Sequence, residues 1–328
     1  RSARERCAMK IGIVSDSLGH LGFEEMLDTV AGLGIEGVEV NACNWTSAPH
    51  LDLVKLRADA GARRAYLQAF QTRGLDLIAL NANGNQLHPV EGAKQSADLH
   101  ETIRLAGELG IDKVVLMSGL PAGGPEDRTP NWVISSWPPE TQRILKWQWE
   151  EKLLPYWHEL AAFARENGVT KLCVEIHGNQ LVYNVPALLR LRAAIGPIVG
   201  ANLDPSHLMW MGADPLAAID ALGDAILHCH AKDTFLNTPK QAVTSLLENG
   251  SLTDIPARSW SYITLGYGHD EAWWRAFCYR LRMIGYDGWL AIEHEDIMLS
   301  RIEGARRSVE LLRAAAPVEA SDYVLQDF

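Results

Sequence analysis

The chain has 328 residues, 47% of them hydrophobic and 22% charged, the composition of a globular protein able to bury a full core rather than of a disordered, collagenous or fibrous one. Its 30 Lys and Arg stand against 41 Asp and Glu, and a net charge of -11 opposes a phosphate backbone, so nucleic acid is not expected as a partner. No run approaches the roughly 18 to 20 apolar residues of a membrane span. The five cysteines (Cys7, Cys43, Cys173, Cys229, Cys278) are odd in number and far apart, with no C-x-x-C pair, and read as reduced thiols of a cytoplasmic protein.

Short apolar runs rich in β-formers alternate with helix-period segments along the whole chain. Eight such runs are expected as strands, over 10–14, 37–41, 75–81, 113–117, 171–175, 199–204, 226–230 and 288–293. After the first, Phe23, Met26, Leu27 and Val30 recur at helical spacing, and after the last, Ile302, Ala305, Val309 and Leu312 do the same. Gly34, Gly110 and Gly168 each precede a strand in the place of a left-handed helix cap. Eight βα units without a dividing linker predict a single (β/α)8 TIM barrel over residues 9–316. Residues 1–8 then read as a leader or tag remnant ahead of Met9, and 317–328 as a C-terminal tail. Two segments exceed plain connections, 118–140 after strand four and 233–270 after the seventh run, and both fall at the C-terminal mouth where barrel enzymes keep their chemistry.

The last four strands each finish on a ligand-type side chain: Glu175, Asp204, His230 and Glu293. An apolar strand ending on a carboxylate or imidazole is costly unless those groups share a partner, and a divalent cation is the economical one. Three carboxylates and an imidazole with no thiolate suit Mn2+ first, with Mg2+, Co2+ and Zn2+ as alternatives. Taken singly, each of these residues reads equally well as a capped strand end or a surface ion pair; the register of all four favours the site. His177 lies two residues past Glu175 and faces the same side, as a candidate general acid or base. His207 and Lys232 stand at the rim as candidate substrate-binding groups, and so does Asn83, in a segment with Asn81, Asn85 and His88 that is also good turn chemistry. His228 reads as a core residue or a support of the ligands, and His294 as facing the barrel exterior or the rim. Trp132, Trp137, Trp147, Trp149 and Trp157 form a local excess: a sugar-stacking platform, a subunit contact or ordinary packing.

Val174-Glu175, Leu203-Asp204-Pro205-Ser206-His207, His230-Ala231-Lys232-Asp233 and Ile292-Glu293-His294 resemble the motifs of the xylose-isomerase-like TIM barrels of the sugar phosphate isomerase/epimerase type, which include tagatose-type 3-epimerases and inosose dehydratases. The resemblance implies that Glu175, Asp204, His230 and Glu293 hold the metal, that Glu175 and Glu293 flank the substrate as acid/base groups, and that His207 touches a substrate oxygen. Plain epimerases carry an arginine six residues after the metal histidine, where this chain has Leu236. The long loops, the tryptophans and His177 look more like the branch acting on 3-keto sugars and 3-keto glycosides, including C-glycoside deglycosidase catalytic subunits.

The expected activity is that of a metal-dependent sugar or keto-sugar isomerase or epimerase, with catalytic groups Glu175, His177 and Glu293, which abstracts a proton α to a carbonyl while the cation stabilises the enediolate. A lyase that expels the aglycone of a 3-keto glycoside shares that first step. The rival from another class is a non-catalytic sugar-binding or scaffold subunit. A phosphodiester hydrolase on this fold would want several zinc ions and a basic groove, which the charge opposes. The expected partners are a small sugar or keto-glycoside substrate, further copies of the chain in a homo-oligomer and, by resemblance, a small companion subunit.

Overall fold

The structure, a computed structural model, describes residues 9–319 and 322–323; the leader expected at 1–8, and residues 320–321 and 324–328 of the expected tail, lie outside the described residues. Among the described residues the strands are β1 (Lys10–Val14), β2 (Gly37–Asn41), β3 (Asp76–Asn81), β4 (Lys113–Leu116), β5 (Lys171–Glu175), β6 (Val199–Leu203), β7 (Ile226–Ala231), β8 (Asp233–Leu236), β9 (Trp260–Ile263) and β10 (Trp289–Ile292). Eight of them close into a parallel barrel in the order β1-β10-β7-β6-β5-β4-β3-β2. Each run expected as a strand holds one, with ends that differ by no more than one residue. These runs are apolar because both faces are covered, one by the barrel interior and one by the surrounding helices. Gly34, Gly110 and Gly168 take φ of 70°, 74° and 79°, so the left-handed turns before β2, β4 and β5 are made by the residue that adopts them without strain.

The barrel interior changes character along its axis. Ile78, Ala79, Val115 and Cys173 form an apolar plug, with Leu227 and Trp289 packed against it. Room for that plug comes from small residues on neighbouring strands: a Cβ on Gly200 would stand 2.4 Å from Leu227 Cγ, and one on Gly37 2.9 Å from Trp289 Cη2. Further toward the C-terminal ends the buried side chains are polar, namely Glu39, Asn81, Glu175, Asn202, His228 and His230. The period of two in strand side chains produces this layering, since Cys173, Glu175 and His177, or His228, His230 and Lys232, alternate toward one side.

The two long segments are organised differently. Residues after β4 cross the mouth and enter the helical run Glu140–Trp147, Gln148–Leu153 and Leu154–Glu166, where Trp149 and Trp157 are buried. Trp157 donates its indole N–H to the Ser118 carbonyl at 3.0 Å, which ties this run to the end of β4. The segment 233–270, read from the sequence as one long loop, contains the antiparallel hairpin β8-β9, with Thr234 opposite Tyr262. Asp233 anchors it: its Oδ2 accepts from the backbone N–H of Gly266, Gly268 and His269 at 3.2, 3.2 and 2.9 Å. No helix among the described residues is long and apolar enough to cross a membrane.

Candidate metal centre

Glu175 ends β5, Asp204 follows β6, His230 lies in β7 and Glu293 follows β10, so four adjacent barrel strands bring these side chains to one point. One ligand-type atom from each lies within 4.8 Å of the others. His230 Nδ1 is 3.8 Å from Glu175 Oε2, 3.9 Å from Asp204 Oδ2 and 3.4 Å from Glu293 Oε2. Glu175, Asp204 and His230 are buried, whereas the Glu293 side chain keeps 15% of its surface exposed.

Each ligand-type group is aimed by a second contact. Asp204 caps the short helix Pro205–Trp210, its Oδ1 accepting from Ser206 N at 2.8 Å and Ser206 Oγ at 2.6 Å, which leaves Oδ2 directed at the cluster. Glu175 Oε2 accepts from Asn83 Nδ2 at 2.7 Å and Asn202 Nδ2 at 3.4 Å. The other oxygen, Oε1, is 2.9 Å from His207 Nε2, which also lies 3.2 Å from Asp204 Oδ2. His230 Nε2 is turned to Glu39, at 3.1 and 3.0 Å from its two oxygens. Lys232 Nζ donates to Glu293 Oε2 at 3.0 Å and pairs with Glu295 Oε2 at 2.6 Å, 4.2 Å above the Tyr262 ring.

The electrostatics follow from that packing. Burial disfavours the Glu175 carboxylate, but the His207 hydrogen bond and the charges of His230 and His207 bring its pKa down to about 2. Asp204 is held well below the usual carboxylate range by His207, Lys232 and His230, against its burial. His207 rises to about 9, Asp204 and Glu175 outweighing burial. Glu39 and Glu293 raise His230 well above the ordinary histidine value, again against burial. His177 goes the other way: burial and the neighbouring His207, 3.9 Å away between ring centroids, push it down to about 4.

Two atoms at the centre stand out. Asp204 Oδ2 and His230 Nδ1 are both buried and neither makes a well-aligned hydrogen bond, Oδ2 having only the 3.2 Å charge contact with His207, and they face each other across the cluster. Buried polar atoms left this way are costly unless something else satisfies them. The donor set, three carboxylates and one imidazole nitrogen, fits a hard or borderline divalent cation at that point.

Above the cluster opens a cavity of about 880 Å³. Its floor includes Glu175, His177, Lys232 and Glu293, and its walls carry Trp45, Trp132, Trp210, Trp260 and Tyr262. Trp210 and Trp260 stack on each other at 4.8 Å and 8°, and Tyr262 reaches from β9 to His207 Nδ1 at 3.0 Å.

The expected site residues therefore converge, with some roles reassigned. Asn83 borders the cavity but its amide N–H is spent on Glu175. Asn81 donates to Glu39 at 2.7 Å, Asn85 bonds the Leu120 backbone, and His88 Nδ1 accepts from the backbone N–H of Val90 and Glu91, so these three are not substrate readers. Lys232 pairs with Glu293 and Glu295, while Asp233 holds the hairpin. His228 lies beneath the ligands, bonded to Glu39, and His294 is turned outward against Gly304. Of the tryptophans between 132 and 157, Trp132 alone lines the cavity; Trp45, Trp210 and Trp260 come from other segments. Glu39, at the heart of the network, was not singled out from the sequence. Its only local signal is a charged residue within an otherwise apolar strand.

Comparison with known proteins agrees with this architecture. The family model for the xylose isomerase-like TIM barrel matches residues 27–315. A curated relative from Bacillus subtilis (strain 168), called uncharacterized protein YfiH, is 47% identical over 308 residues, covering 93% of this chain and 98% of the relative. Among solved structures, the probable 3-DHS dehydratase AsbF of Bacillus anthracis superposes with a TM-score of 0.67 at 15% identity, covering 93% of this chain and 99% of that one. The IOLI protein with a bound zinc atom does so with a TM-score of 0.64 at 17% identity, covering 95% and 100%. With the family model spanning most of the chain and the barrel closed as that family requires, the protein belongs to the xylose isomerase-like TIM barrel family.

Proposed function

We propose that the protein is a divalent-metal-dependent isomerase or epimerase of a sugar or keto sugar, working by proton abstraction from the carbon next to a carbonyl. The observation that carries this reading is the pair of orphaned buried atoms, Asp204 Oδ2 and His230 Nδ1, flanked by Glu175 and Glu293 at the floor of an open cavity. A cation held by Glu175, Asp204, His230 and Glu293, Mn2+ being the first candidate from the donor set, supplies Lewis-acid stabilisation of negative charge developing on a substrate oxygen.

The protein's own groups divide the remaining work. Glu293 is the most accessible of the four carboxylate or imidazole ligands and takes the proton, while Lys232 fixes its orientation. Glu175 is held by Asn83, Asn202 and His207 and stays a carboxylate. His177 gives its Nδ1–H to the Gly178 carbonyl, which leaves the lone pair on Nε2. A neutral ring with that tautomer, bordering the cavity, accepts a hydrogen bond or a proton from a substrate hydroxyl. The aromatic walls pack on the C–H faces of a sugar and exclude water from the floor.

A second reading, elimination of the aglycone from a keto glycoside, draws support from the size of the cavity. At about 880 Å³ it exceeds what one sugar ring fills, and Trp45 on its wall is 54% exposed. Incubation of Mn2+-loaded protein in D2O with ketoses and 3-keto glucosides, followed by NMR, separates the two. Deuterium wash-in α to the carbonyl without release supports the isomerase or epimerase, and wash-in with aglycone release supports the lyase. Neither reaction on any substrate, with metal bound, would overturn the enzymatic reading in favour of a sugar-binding subunit.

A further inference from the structure

Glu39 is a fully buried carboxylate in the middle of β2, on the far side of His230 from the ligand cluster. A lone carboxylate there would cost several kcal/mol, and this one is satisfied by side chains from three other positions in the barrel. Asn81 Nδ2 donates to Oε1 at 2.7 Å, His228 Nε2 lies 2.7 Å from Oε2, and His230 Nε2 lies 3.1 and 3.0 Å from the two oxygens. At such separations a proton stands on each nitrogen, because a carboxylate can only accept. His228 is braced in turn from below, its Nδ1 3.3 Å from Lys113 Nζ.

The consequence concerns His230. With its Nε2–H committed to Glu39, the ring cannot rotate or exchange tautomers without leaving a buried carboxylate unsatisfied, and Nδ1 is the nitrogen presented to Glu175, Asp204 and Glu293. We infer that Glu39 is a positioning residue of the metal centre: it locks His230 as an Nδ1 ligand and, through that hydrogen bond, sets the affinity with which the cluster holds a divalent cation. Carboxylate partners of a metal-bound imidazole raise its basicity and fix its orientation, and their loss weakens metal binding by about 10–100-fold. The inference rests on the cluster being a metal site, as proposed above.

Calorimetric titration of the metal-free protein with Mn2+ and with Zn2+ tests it, comparing the native chain with Glu39→Gln and Glu39→Asp. The Gln variant keeps the shape but not the charge and is expected to bind about 10–100-fold more weakly, with partial recovery in the Asp variant. Equal affinity in native and Glu39→Gln proteins overturns the role of Glu39 and leaves the metal centre standing, whereas no binding by the native protein overturns the metal centre itself. Should Glu39→Gln fail to fold, 15N-histidine NMR of the native protein loaded with Zn2+ decides. A hydrogen-bonded Nε2–H on His230 with a metal-shifted Nδ1 is expected, and a metal-bound Nε2 refutes the inference.

Discussion

Removing the proposed cation is the perturbation that reaches furthest into this structure. On the proposed assignment the native cluster binds it and the unfolded chain, with ligands drawn from positions 175 to 293, does not, so metal should stabilise by mass action. At a free concentration 100 times the dissociation constant the gain is about 2.7 kcal/mol. Unfolding entropy of about 2.1 cal/mol/K per residue gives roughly 0.69 kcal/mol/K for a chain of 328 residues, so Tm should rise by about 4 °C over the chelated protein. The gain has a direction with pH as well. Glu39 and Glu293 keep His230 protonated well above the usual histidine range, against its burial, and a cation at Nδ1 must displace that proton. Apparent affinity should therefore climb about tenfold per pH unit between roughly pH 6 and 8, where Glu175, at about 2, is already ionised. Scanning fluorimetry with EDTA and with Mn2+ across that range measures both effects, and calorimetry in buffers of different ionisation enthalpy counts the proton. A Tm indifferent to chelator and to excess metal, in a folded protein, would refute the assignment of the four ligands.

Lys232→Met removes the ammonium that orients Glu293 and is expected to lower turnover by about 100-fold while metal binding persists; loss of the metal together with activity would reassign Lys232 to holding the cluster together. Gly107→Ala replaces a helix glycine whose added Cβ would come within 1.9 Å of the Asn167 backbone oxygen. It should destabilise by about 1–3 kcal/mol despite the better helix propensity of alanine, and a denaturant midpoint that rises would contradict the packing of the Gly92–Glu108 helix against that turn.

The barrel could be read from the chain because its strands are continuous apolar runs punctuated by glycine, a pattern that depends only on local burial and turn chemistry. The convergence of Glu175, Asp204, His230 and Glu293 could be read for a related reason: a charged or imidazole side chain at the end of an apolar strand is anomalous wherever it occurs, and four in succession coincide at one rim. Glu39 shows where this stops. Its partners His228 and His230 are 189 and 191 residues away, and a charge inside Gly37-Val38-Glu39-Val40-Asn41 looks the same whether it faces solvent or the barrel axis. The hairpin β8-β9 escaped for another reason, since its strands are four residues each and separated by a long excursion, too short for alternation to stand out. The tryptophan-rich stretch from 132 to 157 contributes only Trp132 to the aromatic wall, which is assembled from Trp45, Trp132, Trp210 and Trp260 on four separate segments, a convergence that only the closed barrel creates.

That hairpin divides the labour of the molecule in a way open to change. The cavity floor stands on strand ends that cannot move without opening the barrel, whereas Trp260 and Tyr262 belong to an insertion pinned to the rim through Asp233. Tyr262 carries the insertion to the ligand-type cluster, through its hydroxyl on His207, while Trp260 stacks on Trp210 at the cavity wall. An exchange of residues between the two hairpin strands would thus alter which molecules enter while leaving the ligand cluster intact. Selection could explore new substrates on this scaffold by lengthening or resculpting one surface excursion, with the tyrosine as the constraint that every workable version has to keep or replace.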